Sequence, residues 1–159
     1  AIYFEQNQLS DQQIGEVLVT GAHVNKNYYE NPEAFKKAKV VDSENVIWHR
    51  TGDIGYFENG QMYLVGRDHR IYEKEGQKYY PYPIEQSVEL TFGCTDVGYI
   101  QKQDGSFEFY IGSAMQVDEA QILKHIQDAG YPCDKLRLTD KPLPRDARHK
   151  SKLQVEDLI

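Results

Sequence analysis

The chain is short of the residues that staple, anchor or neutralise. It holds two cysteines in 159 residues, Cys94 and Cys133. They lie far apart with no His or Cys at zinc-ligand spacing beside them, so neither a disulfide framework nor a metal staple is indicated. Long apolar runs are missing as well. The longest are a few residues, against the roughly 20 needed to cross a bilayer, and no basic-then-apolar signal segment opens the chain. An excess of positive charge is absent: 18 Lys+Arg stand against 25 Asp+Glu, a net charge of −7. Such a balance argues against a protein built to neutralise nucleic-acid phosphates. These absences imply a soluble protein in a reducing, cytoplasmic setting. The first residue is Ala1 and not a methionine, which points to processing or to a piece of something longer.

What is present is 40% apolar residues and 12 tyrosines, on a length that suits one domain or two small ones. The first half reads as short strands divided by turns. Ile2-Tyr3-Phe4 is an apolar opening run, and Gly15 to Gly21 alternates polar and apolar between two glycines. Asn31-Pro32-Glu33-Ala34-Phe35 carries a helix start, with Asn31 as N-cap, Pro32 in the first turn and lysines at 36, 37 and 39 suited to the far end. Val46-Ile47-Trp48, Ile54 to Phe57 and Gln61 to Val65 read as strands. The last two are joined across Asn59-Gly60, a strong hairpin signal.

The second half changes pattern. A Tyr/Pro-rich connector, Tyr79 to Pro83, leads into a short helix over Ile84 to Leu90. Asp96 to Gln101 and Phe107 to Ile111 read as strands, and Asp118 as the cap of a helix stopped by Gly130 and Pro132. Leu136 to Leu138 is a last strand. The expected fold class is α+β, a small antiparallel β-subdomain followed by a compact α+β domain with a short, mostly antiparallel sheet and flanking helices. The seam falls near Arg67 to Arg70.

Three places have residue types suited to chemistry. In His49-Arg50-Thr51-Gly52-Asp53-Ile54-Gly55, glycines allow close backbone approach and Asp53 follows on a turn, where a carboxylate accepts two hydroxyl hydrogen bonds as in ribose recognition; an ordinary Asp-containing turn is the plainer alternative. Arg67, at a strand end, suits clamping an anion or a sugar, or is a solvated charge. From Lys135 to Lys152 there are seven basic and two acidic residues, a local net of +5 that leaves −12 for the remainder. Pro142 and Pro144 make this stretch an extended, mobile loop. It suits offering a lysine to a phosphate or carboxylate, or merely solubilising the chain.

In order along the chain, these residues resemble motifs of the adenylate-forming enzymes, the superfamily of acyl-CoA synthetases, nonribosomal-peptide adenylation domains and luciferases. Gly15 to Gly21 with Tyr28-Tyr29-Glu30-Asn31-Pro32-Glu33-Ala34 resembles the Gly-Glu strand and its Tyr-Tyr-x-x-Pro-Glu-Ala continuation. His49 to Tyr56 resembles Arg-Thr-Gly-Asp-x-Gly-Tyr, and Tyr63 to Arg67 the strand that ends at the interdomain hinge. Pro142 to Leu153 resembles the C-terminal loop that supplies the catalytic lysine. The resemblance implies that residues 1–68 are the terminal β-rich part of an incomplete large ATP- and acyl-binding domain, and 69–159 a mobile C-terminal lid. It implies that Asp53 and Arg67 contact the nucleotide, and that Lys152, with Lys150 as rival, reaches the α-phosphate and the carboxylate during adenylation.

The same resemblance places Arg70 at the hinge, where the family usually has aspartate or lysine, and Gly76 in the loop that lines the thioester site of CoA ligases. The implied reaction is a carboxylic, most simply a fatty, acid plus ATP giving acyl-AMP and pyrophosphate, followed by transfer to CoA or by internal closure. The Gly66 to Arg70, Trp48 to Arg50 and Asp146 to Lys152 stretches resemble a narrower branch, the β-lactone synthetases of olefin biosynthesis, which need no CoA. Mg2+ is implied alongside ATP, with its ligands expected mainly outside this chain. So are the phosphate loop and the acyl pocket, and residues 1–68 are therefore expected to expose apolar surface unless the rest of the large domain covers it. The chain alone is expected to be inactive. The competing expectation is a standalone, non-catalytic module that binds nucleotide or a partner; the joint presence of Asp53, Arg67 and Lys152 argues against it.

Overall fold

The chain folds as mixed α and β structure in two units, residues 1–69 and 70–159. The computed structural model describes residues 6–113, 117–146, 153–155 and 158. The opening run Ile2-Tyr3-Phe4 therefore lies outside the described residues.

In the first unit the strands are β1 (Gly15–Val19), β2 (Lys39–Val41), β3 (Ile47–Glu58) and β4 (Gln61–Arg67), with helix α1 (Pro32–Ala38) before β2. Asn31 caps α1 by accepting a hydrogen bond from the Ala34 amide at 3.0 Å, and Pro32 occupies its first turn. The organising element is β3. One of its edges pairs antiparallel with β1, and the other is shared by β2 near Trp48 and by β4 from Asp53 onward. Val46 to Trp48 and Ile54 to Phe57 thus belong largely to one 12-residue strand, and the stretch between them, read from sequence as a turn, is a bulge inside it. Opposite β1 the register jumps from Glu16↔Ile54 to Leu18↔Arg50, so Thr51, Gly52 and Asp53 face Val17 alone. An excess of residues on one strand of a pair kinks it locally and re-aims its side chains. Asn59 and Gly60 both have positive φ, at 51° and 76°, the geometry that a two-residue hairpin turn requires.

In the second unit a 3-10 turn (Asp68–Arg70) leads into the hairpin β5 (Tyr72–Lys74) and β6 (Gln77–Tyr79). Helix α2 (Pro81–Phe92) follows directly. The Tyr/Pro stretch is therefore not a connector: Tyr80 is extended, and Pro81 opens the helix, where a missing N–H costs nothing and a fixed φ helps. Strands β7 (Val97–Gln101) and β8 (Phe107–Ile111) are antiparallel, and β9 (Lys135–Leu138) joins β8 in parallel after helix α3 (Glu119–Asp128). Asp118 caps α3 through the Gln121 amide at 3.1 Å.

Alternation along these strands gives the sheet two covered faces. Val97, Tyr99, Phe107, Phe109 and Ile111 pack with Ile84, Val88, Ile122 and Ile126 of the two helices. Ile100 points the other way, into a smaller cluster with Leu143 and Leu153. Tyr99 is fully buried, and its hydroxyl donates to the Pro132 carbonyl at 2.7 Å. Burial drives its ionisation far above the usual phenol range.

Candidate functional site

The bulge in β3 fixes where Asp53 points. Gly52, at φ +71°, takes a conformation that favours glycine, and its amide donates to Glu16 Oε1 at 3.3 Å. Thr51 Oγ1 donates to the Val17 carbonyl at 2.8 Å and accepts from the Asp53 amide at 3.0 Å. Glu16 in turn receives Arg50 Nε at 2.9 Å and Nη2 at 2.7 Å. Sequence reading passed over this Glu16–Arg50 bracket, because the two residues are brought together only by pairing of β1 with β3.

Asp53 and Arg67 are cross-strand partners on β3 and β4, and their side chains form an ion pair through Asp53 Oδ1. Both are partly buried, and Arg67 Nε is a buried donor without a hydrogen-bond partner among the described residues. A carboxylate has about four acceptor positions. Asp53 therefore keeps acceptor capacity beyond its ion pair with Arg67.

Next to it, burial works against charge on Asp68. Hydrogen bonds from the His69 ring and amide, helped by Arg67, prevail and hold its carboxyl below the usual range. A cavity of about 660 Å³ also lies in this unit, against Leu9, Leu18, Trp48, Tyr56 and Phe57; neither Asp53 nor Arg67 lines it.

Arg70, read from sequence as a hinge residue, has its side chain built into the second unit and is 5% exposed. It forms an ion pair with Glu85 and donates to the Tyr99 carbonyl at 3.2 Å. Glu85 Oε1 also accepts the Tyr99 amide at 2.7 Å. Burial opposes the guanidinium charge, but Glu85 more than offsets it and raises the proton affinity of Arg70 above the ordinary value. Gly76 sits with Glu75 at the tip of the β5–β6 hairpin, both at positive φ, and a side chain added there would meet nothing within 4 Å.

The basic stretch from β9 onward is held more firmly than its charge and prolines suggest. Leu143 and Leu153 are 4% and 7% exposed. Arg145 and Leu153 form an antiparallel bridge, and the Gln154 amide donates to the Pro144 carbonyl at 2.8 Å. Two of the cations are committed to carboxylates. Arg137 donates to both oxygens of Glu108, Nη2 to Oε1 at 2.7 Å and Nε to Oε2 at 3.1 Å, and Arg145 donates to Asp96. The described part of this segment is thus anchored, which corrects the expectation of a mobile loop for those residues. Lys152, Lys150 and the rest of 147–152 lie outside the described residues.

The Arg137 hydrogen bonds outweigh burial and hold Glu108 below the usual carboxyl range. Burial, then the carboxylate of Glu108, push Tyr110 up to about 12. Lys102 Nζ donates to the Leu158 carbonyl and so fixes one more point of the tail.

Among the described residues no three His, Cys, Asp or Glu side chains are grouped to hold a metal ion. Nor is any helix among them long and apolar enough to cross a membrane.

No family model matches the chain. It is 30% identical over 151 residues to the 2-succinylbenzoate–CoA ligase of Oceanobacillus iheyensis, an alignment covering 91% of this chain and 30% of that enzyme. With the long-chain-fatty-acid–AMP ligase FadD26 of Mycobacterium tuberculosis the identity is 33% over 88 residues, covering 50% of this chain and 15% of the other. Among solved structures, the O-succinylbenzoate coenzyme A synthetase MenE of Bacillus subtilis, in complex with ATP and magnesium ion, matches with a TM-score of 0.71 and 24% identity. That match covers 89% of this chain and 30% of the other. The homologues and structural neighbours are thus adenylate-forming ligases, and the chain spans less than a third of the length of these three.

Proposed function

We propose that this chain is the C-terminal part of an ATP-dependent, AMP-forming acyl ligase. The observation that carries the reading is the cross-strand pair of Asp53 and Arg67, a partly exposed carboxylate with spare acceptors held in place by a guanidinium. That arrangement suits a ribose. The adenylate-forming homologues supply the reaction class.

In this reading, Asp53 accepts the ribose hydroxyls, and Arg67 both orients Asp53 and contacts the nucleotide. A carboxylate oxygen of the acid attacks the α-phosphorus, the bond from that phosphorus to the bridging oxygen breaks, and pyrophosphate leaves with the electron pair. Negative charges converge on the α-phosphate as this happens. The ammonium of Lys152 offsets their repulsion in the transition state. No step is assigned to Mg2+ through residues of this chain. Residues 1–68 then belong to a larger ATP- and acyl-binding domain, and 69–159 form the mobile lid that turns about Arg70. Transfer of the acyl group to CoA past the Gly76 hairpin and internal β-lactone closure are the two continuations. The first consumes CoA and the second proceeds without it.

The test uses the longer polypeptide that carries this sequence together with the remaining length of such enzymes. Lys152→Ala is expected to slow acid-dependent ATP–pyrophosphate exchange by about 10²–10³-fold, the usual loss when one transition-state charge donor is removed, with ATP affinity nearly unchanged. An unaltered exchange rate overturns the assignment. Pyrophosphate release by the 159-residue chain on its own overturns the reading of it as an incomplete enzyme.

A further inference from the structure

The two sides of Asp53 are fixed by different means. Downstream, Ile54 is buried and paired on both edges of β3, with Glu16 on β1 and Gly66 on β4. Upstream stands Gly52, at positive φ and with no side chain to pack, in the bulge where three residues face Val17 alone. On that edge the ladder of hydrogen bonds is interrupted, as at any bulge.

The Thr51 hydroxyl spans the interruption. Its proton goes to the Val17 carbonyl at 2.8 Å, and its oxygen accepts the Asp53 amide at 3.0 Å. A hydroxyl has one proton to give and lone pairs left to accept with, so the two bonds coexist. The backbone of Asp53 is thereby tied to β1 through a single oxygen atom.

Two other holds lie nearby, and neither duplicates this one. Glu16 accepts the Gly52 amide at 3.3 Å, one residue short of Asp53, and the same carboxylate also carries Arg50. Arg67 pairs with Asp53 at the far end of the side chain, through Oδ1. The aspartate is thus gripped at its tip by Arg67 and at its root by Thr51. Its side chain turns about two torsions between those points, so the directions of its remaining lone pairs are set only when the root is fixed as well. Direction decides hydroxyl recognition, because a hydrogen bond weakens steeply as it bends.

We infer that Thr51 is a positioning residue for nucleotide recognition: by tying the Asp53 amide to the Val17 carbonyl, its hydroxyl aims the Asp53 carboxylate at the ribose. This rests on the reading of Asp53 as the ribose acceptor given above. Thr51 acts through Asp53 and needs no contact with the nucleotide.

Two measurements test it. In the 159-residue chain, Thr51→Val keeps the shape of the side chain and loses the hydroxyl. It is expected to speed amide exchange at Asp53 about tenfold, while the β3–β4 pairs Tyr56↔Tyr63 and Phe57↔Met62 stay protected. Unchanged exchange at Asp53 overturns the tie. Should Thr51→Val lose those pairs as well, Thr51→Ala is read in its place with the same outcomes.

In the longer polypeptide, kcat/KM for ATP is compared with kcat/KM for 2′-deoxy-ATP and for 3′-deoxy-ATP, and the larger ratio reports what Asp53 gains from a hydroxyl. Asp53→Ala is expected to lower that ratio about tenfold and Thr51→Val about fivefold, whereas Thr51→Ser, which keeps the hydroxyl, holds it within about twofold of the parent. A ratio taken on one preparation is blind to how much of it is folded, so a merely structural Thr51 leaves it unmoved. In the double variant of Thr51→Val with Asp53→Ala the ratio should fall no further than in Asp53→Ala, because nothing is left to aim. A parental ratio in Thr51→Val, an equal loss in Thr51→Ser, or losses that multiply in the double variant overturns the inference. An unchanged ratio in Asp53→Ala defeats the ribose reading itself, so the two failures are distinguishable.

Discussion

The two units differ in how they bury apolar surface. Among the described residues, the second unit holds fourteen buried apolar side chains on the two faces of its sheet, eight of them within 1% of full burial on the helix-covered side. The first holds three, Val24, Ile54 and Val65, and exposes Leu9, Phe57, Met62 and Leu64 to about half their area or slightly less. Four paired strands and a capped helix therefore do not by themselves make a core. The second unit has helices over one face of its sheet and the anchored tail over the other. In the first, Phe57 on β3 and Met62 and Leu64 on β4 stay about half exposed among the described residues, although Ile54 and Val65 on the same strands are buried.

The contrast is open to direct attack. Phe109 is wholly enclosed, and Phe109→Ala is expected to cost about 3–5 kcal/mol, the usual loss for an aromatic removed from a packed core. Phe57→Ala, in the first unit, should stay within about 0.5 kcal/mol. Amide exchange under added urea reads both, and similar losses would erase the distinction.

Glu85→Gln is the next largest, about 3 kcal/mol, because it leaves the Arg70 charge buried without its partner. It should loosen α2 and β7 while exchange in β1 and β3 stays as it was. A uniform change across both units would mean that Arg70 and Glu85 do not belong to the second unit alone.

The smallest effect is a pH dependence confined to the second unit. Glu108 titrates below its ordinary 4.5 when folded. Its contribution is therefore complete above that value and is lost as the pH falls through the lower, folded one. Acid titration of Glu108→Gln should show a shallower fall in β8 and β9 protection, and a slope equal to that of the parent would remove Glu108 from the account.

Much of this architecture was legible wherever the cause is local. Asn31-Pro32, Asp118 and Asn59-Gly60 set their caps and turn with their own side chains, and each stands where the sequence places it. Legibility failed where a distant partner decides. Thr51-Gly52-Asp53 has turn composition, but β1, some 35 residues earlier, makes it a bulge within a strand. Pro81 and Pro83 look like linker residues until the first helical turn, which tolerates them, is seen to start there. Charge counting described the tail as loose because it overlooked Leu143 and Leu153, two apolar residues among cations that were the available sign of anchoring. Asp96 and Glu85 left no local sign at all, since their partners are 49 and 15 positions away.

The placement of Arg70 bears on mechanics. Its guanidinium grips Glu85 on α2 and the Tyr99 carbonyl on β7, and Glu85 grips the Tyr99 amide as well. The first side chain of the second unit is thereby bolted to that unit's helix and central strand. A load applied at Arg70 is therefore shared at once by α2 and β7, so the entry to this unit is as stiff as its core.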